Sequence, residues 1–103
     1  METDSIEEIG IDEHGRLFIR PLNHHFPMIW RSGTEVHWDA KQLFLHSPKP
    51  REWSYLDWYK HIISVVKEGD GGNCELCPIG STLWTNVPTE LQRQILNSLE
   101  VLS

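Results

Sequence analysis

Residues 54–68, SYLDWYKHIISVVKE, constrain this chain more than any other stretch. Polar side chains fall at Asp57, Lys60, His61, Ser64, Lys67 and Glu68, a narrow stripe along one side of an α-helix. The remaining positions from Tyr55 to Val66 are apolar or aromatic. Such a helix has a wide apolar face and must lay it on another element. Its start is well marked. Ser54 can accept from the Asp57 amide while the Asp57 carboxylate reaches back, as in a capping box, and Trp53 and Trp58 are spaced for a hydrophobic staple. Gly69 is a natural stop.

The N-terminal half supplies the surface that this helix needs. EIGID puts Ile9 and Ile11 on one face, His14-Gly15 is a turn, and RLFIR alternates Leu17 and Ile19 against Phe18 and Arg20. That is a hairpin pattern. PLNHHFP is a polar, proline-bounded connection. MIWR reads as a strand with Met28 and Trp30 on one face, Ile29 and Arg31 on the other, before a Ser32-Gly33 turn. EVHWD points Val36 and Trp38 inward and Glu35, His37 and Asp39 outward, and QLFLH sets Leu43 and Leu45 against Phe44 and His46.

After the helix come a glycine-rich loop holding both cysteines and a short extended TLWTN. A final helix over 87–101 is capped by Asn86, tolerates Pro88 in its first turn, and aligns Leu91, Ile95, Leu99 and Leu102. Strands first and helices afterwards predict an α+β fold. The expected form is an antiparallel sheet of four to five strands, with helices over 54–68 and 87–101 on one face, covering Leu17, Ile19, Met28, Trp30, Val36, Trp38, Leu43 and Leu45. A length of 103 residues fits a single domain, 1–103.

The opposite sheet face is then left open. It would carry Phe18, Ile29 and Phe44 among Arg20, Arg31, His37 and His46, and a face with large apolar residues invites association. The proline-bounded HSPKPREWSYLDW adds a second surface, with Lys49 and Arg51 beside Trp53. Tyr55 and Trp58 are accounted for as core by the helix periodicity.

The net charge is −6, which repels phosphate backbones and attracts basic partners. Nucleic acid is therefore not an expected partner. The N-terminus lacks the basic and apolar regions of a signal peptide, and no apolar run reaches bilayer length. The expectation is a cytoplasmic protein, without a membrane partner, whose thiols are reduced.

Two groups of residues could carry chemistry. Cys74 and Cys77, in GNCELCPIG, could give half of a zinc knuckle. The other half would fall to His24 and His25, and adjacent histidines on an extended chain point apart. There is no second CxxC and no HxxxH. A redox role would need a lowered thiol pKa, but Glu75 sits between the thiols with no basic neighbour. The reading is a loop with two thiols, and neither metal nor cofactor is expected. Glu35, His37 and Asp39 share one strand face and could orient an imidazole for acid–base work. A solvated strand face gives the same pattern, and no nucleophile elbow accompanies it.

The strand meander followed by PREWSYLDWYKHI, and by TLWTNVP before a terminal helix, resembles the small orphan α+β proteins encoded in bacterial integron gene cassettes. The resemblance implies a bacterial origin, a compact fold and a function that is often unassigned; many such proteins resemble binding or self-associating modules, and no functional residue is carried over. Small immunity proteins of toxin systems look similar at this level. The leading expectation is a non-enzymatic binding protein, homodimeric through the open sheet face. Its binding residues would be Phe18, Arg20, Ile29, Arg31, Phe44 and Trp53. The alternatives are an immunity protein that neutralises a basic toxin, and a small-molecule-binding protein or enzyme with a pocket between sheet and helices.

Overall fold

A computed structural model describes residues 2–68 and 73–101, apart from the side chains of Ser32, Leu99, Glu100 and Val101. Residues 69–72, the Leu99 side chain and Leu102, on which the expected helix stop, part of the glycine-rich loop and part of the final apolar stripe fall, lie outside the described residues. The chain runs β1 (Glu2–Ile11), β2 (Leu17–Pro21), a 3₁₀ turn (Ile29–Ser32), β3 (His37–Asp39), β4 (Phe44–His46), α1 (Tyr55–Glu68), β5 (Cys74–Thr85) and α2 (Thr89–Val101). The fold is α+β. Its five-stranded sheet has the order β3-β4-β2-β1-β5.

The sheet is mostly antiparallel, with one parallel pair, β1 with β5. That pair carries the main departure from the expected layout. The segment holding the thiols is a twelve-residue strand, not a loop. It reaches the sheet by the α1 crossover, which a parallel connection requires. A bulge between Ile6 and Glu8 reconciles the hydrophobic spacing of β1. Ile6 and Ile9 are three apart and would face opposite ways on a regular strand, yet both are fully buried.

One transverse row of the sheet shows how the core is built. Trp84, Ile9, Ile19, Leu45 and Trp38 are successive cross-strand partners on β5, β1, β2, β4 and β3. The three aliphatic residues are fully buried and the two tryptophans pack on them. Trp58, Ile62 and Val66 of α1 and Leu91 and Ile95 of α2 belong to the same cluster, so both helices serve one sheet face. Burying each such side chain contributes about 1.5–3 kcal/mol.

The start of α1 is as expected. The Asp57 amide donates to Ser54 Oγ at 3.1 Å and the Ser54 amide to Asp57 Oδ2 at 3.3 Å. The Trp53 and Trp58 rings lie 4.9 Å apart as the staple. Asn86 does not cap α2. It is left-handed, with φ 56°, and its side-chain amide donates to the Ile11 carbonyl. The helix begins at Thr89, past Pro88.

MIWR is a further correction. It forms the 3₁₀ turn rather than a strand, so strand alternation does not apply. Ile29 is fully buried in the core, while Met28 and Trp30 are exposed. Leu43, expected inward, sits exposed in the β3–β4 turn with φ 60°.

Candidate functional site

The Glu35, His37 and Asp39 row is not assembled. Glu35 precedes β3 in a left-handed conformation, with φ 67°, so it has left the strand. Asp39 Oδ1 accepts from the amides of Lys41 and Gln42 at 2.9 and 3.0 Å, closing the next turn. Those amides, the Gln42 bond first, hold its carboxyl below the usual range against the opposing effect of burial. His37 stacks on His46, with ring centroids 5.3 Å apart. Burial pushes the His46 pKa down, and Arg16 and His37 add to this against the bond to the Ser47 carbonyl.

The thiols do not form a knuckle either. Cys74 and Cys77 are an odd number of residues apart on a strand regularly paired with β1, so they project to opposite faces. Cys74 is buried in the core and Cys77 is half-buried. Burial raises both thiol pKa values, and Glu75 adds to the rise at each. Neither is the activated thiolate that redox chemistry requires. Among the described residues, no group of three or more His, Cys, Asp or Glu side chains is placed to hold a metal ion.

The open sheet face is more polar than the sequence implies. Phe18 and Phe44 stack at 4.7 Å and are each only 6% exposed. The tip of the Phe18 ring lies over Gly10 of β1, where an added Cβ would fall 2.4 Å from it. The Arg20 guanidinium covers Phe44 at 5.7 Å and pairs with Glu8, which also accepts from the Thr85 hydroxyl. Of the three apolar residues expected here, Ile29 is in the core and the phenylalanines are nearly covered. An open depression of about 430 Å³ lies over them, edged by Asp12, Arg16, Arg20 and Gln42. Its cations are already engaged: Arg16 Nε donates to Asp12 at 2.7 Å and Arg20 Nε to the Gln42 carbonyl at 3.1 Å.

The exposed tryptophan surface is elsewhere. Trp30 is 60% exposed, with the Arg31 guanidinium 5.9 Å from its ring centre, and Trp53 is 45% exposed. Buried Ile29 anchors the turn that carries Trp30 and Arg31. The turn packs against β3 and α1. His61 of α1 fastens the two segments: its Nε2 donates to the Thr34 carbonyl at 3.0 Å while its ring meets Trp53 edge-on at 5.1 Å. Trp30 and Arg31 stand on the turn, and Trp53 stands at the start of α1 against the His61 that fastens the segment after the turn. Arg31 and Trp53 are legible in sequence as surface candidates. Trp30 is not, because alternation places it inside.

The family model for the integron cassette protein Hfx_Cass5 matches residues 4–77. The chain is also 35% identical to a protein of solved structure titled "Structure from the mobile metagenome of North West Arm Sewage Outfall: Integron Cassette Protein Hfx_Cass5". That match covers 97% of this chain and 98% of the other, with a TM-score of 0.49. No curated protein matches the chain. The family match takes in most of β1, all of β2 to β4, α1 and both thiols, and the chain belongs to the Hfx_Cass5 integron cassette protein family.

Proposed function

We propose that this protein is a non-enzymatic, cytoplasmic interaction module that binds a protein partner through Trp30, Arg31 and Trp53. The carrying observation is the mounting of Trp30: a large ring, 60% exposed, on a turn pinned by fully buried Ile29. Exposed tryptophans otherwise cost solubility, and tryptophan and arginine are, with tyrosine, the residue types enriched among those that dominate binding energy. A pre-formed turn also loses little entropy on binding. The scattered acid–base row and the suppressed thiols support binding over catalysis. The net charge of −6 favours a basic partner by steering its approach. A basic toxin, as in the immunity-protein alternative, has that chemistry.

The test uses paired baits. Wild-type protein and the Trp30→Ala/Trp53→Ala variant are presented to lysate of a bacterium carrying the cassette, and any retained protein is purified and titrated against both. Truncating hot-spot residues costs at least about 2 kcal/mol, so binding should weaken roughly thirtyfold or more. Trp30 is largely solvated, whereas Trp53 is half-buried as the α1 staple, so the double variant should stay folded and melt about a few degrees lower. Equal affinity for the two baits would refute the assignment.

A further inference from the structure

We infer that the outer edge of β5 is a self-association edge, and that two copies of this chain pair there antiparallel into one continuous sheet. The inference rests on residues distinct from Trp30, Arg31 and Trp53. The sheet has two edges, β3 and β5. The β3 edge is guarded: it is three residues long and carries His37 and Asp39, the latter tied into the following turn. The β5 edge is not. It belongs to a twelve-residue strand hydrogen-bonded on one side, to β1. Natural edges are blunted with charge, proline or bulges. Here Pro78 and the excursion after it interrupt the middle of the strand, but residues 83–85 resume pairing with β1, and no described strand pairs with their other side.

Charge identifies the occupant. In a chain of net charge −6, no Asp, Glu, Lys, Arg or His occurs between Glu75 and Glu90. Two copies of an acidic protein repel one another, and the repulsion is least where the ionisable groups are absent. Leu83 adds apolar surface on this edge strand, at 60% exposure, and Ile79 adds more at 42%. A two-fold axis normal to the sheet would set Leu83–Thr85 of one copy beside the same residues of the other. This is an isologous contact in which each strand meets itself antiparallel. The excursion stays in register because the Thr82 hydroxyl accepts from the Ile79 amide at 2.8 Å and donates to the Ile6 carbonyl at 2.6 Å. The edge is therefore held in shape before a partner arrives. Such a dimer carries two copies of the Trp30 surface and would bind a multivalent partner with avidity.

The experiment is sedimentation equilibrium over a range of protein concentrations. Wild-type protein should sediment at twice the chain mass of 12.0 kDa. Leu83→Lys places two like charges next to the axis and leaves the core untouched, so it should return the protein to 12.0 kDa. Leu96→Lys, at a residue of α2 that is 41% exposed, is the control for a general charge effect and should stay dimeric. Trp30→Ala should stay dimeric too. A monomeric wild type overturns the inference, as does a dimer that survives Leu83→Lys. Dissociation by Leu96→Lys or by Trp30→Ala overturns it as well. None of these outcomes bears on whether Trp30 and Trp53 bind a different protein, which the paired baits decide separately.

Discussion

Gly10→Ala should destabilise the protein by about 2–3 kcal/mol, a large loss for one methyl group. The position is crossed by the Phe18 ring, which a Cβ would meet at 2.4–2.5 Å, and the Thr85 carbonyl oxygen lies 2.9 Å from the same point. Overpacking here forces Phe18 out of its stack with Phe44 and strips cover from the open face. The control is a double-mutant cycle in denaturant. Phe18→Leu alone should cost about 1 kcal/mol through lost packing. Combined with Gly10→Ala, it should recover a substantial part of the loss, because the obstructing ring is gone. Strict additivity would show that the ring does not lie over Gly10. The open face would then carry exposed aromatic surface after all, and self-association through it would regain its standing.

Asp4→Ala should cost about 3 kcal/mol and lower the melting temperature by roughly 10–20 °C. The Asp4 side chain is only 3% exposed. It accepts from the amides of Ser5, Asn23 and His24 at 2.8–2.9 Å, tying the connection after β2 to the first strand. Removing the carboxylate leaves those donors without their acceptor. The His24 ring stands between Asp4 Oδ2 and Glu2 Oε2, each 3.1 Å away. The Asp4 approach is an ion-pair contact without hydrogen-bond alignment.

The two groups also predict a pH profile. Burial acts to raise the Asp4 pKa, but the bonds from Asn23, His24 and Ser5 together outweigh it and hold the value at about 2, from an ordinary 3.8. A depressed carboxyl stabilises the fold fully above its ordinary pKa. Its contribution fades as the pH falls from 3.8 toward about 2. The His24 pKa is raised, first by the Asp4 side chain and then by Glu2, against burial. Its contribution is complete below 6.5 and is lost as the pH rises through the raised value. The contact is therefore strongest between those limits. Chemical denaturation across pH should show the acid limb flattened in Asp4→Ala and preserved in Glu2→Ala. An unchanged acid limb in Asp4→Ala would contradict this account.

The elements legible in sequence were those governed by local rules. The α1 cap, its staple and its polar stripe depend only on spacing, and each is present. So is the β1–β2 hairpin, where Asp12 and Gly15 close the turn. What sequence could not show came from longer-range constraints. Alternation cannot see a bulge, so it does not explain why Ile6 and Ile9 share a face. It also assumes that four residues such as MIWR form a strand. A 3₁₀ turn there rotates Trp30 outward and Ile29 inward. The thiol segment reads as a loop because glycines flank it, while its strand character comes from pairing with β1, a partner some seventy positions earlier. The site followed the same division. Arg31 and Trp53 could be named from composition and position, whereas Trp30 needed the turn, and the β5 edge needed the sheet order.

Hydroxyl-radical footprinting of the free protein, read by mass spectrometry at each of the five tryptophans, reports directly whether the Trp30 ring stands in solvent. Oxidation should be rapid at Trp30 and Trp53 and intermediate at Trp38 and Trp84, while Trp58, which is 6% exposed, should be strongly protected. Trp30 as protected as Trp58 would put that ring back in the core, as strand alternation has it, and would remove the surface on which the proposed function stands.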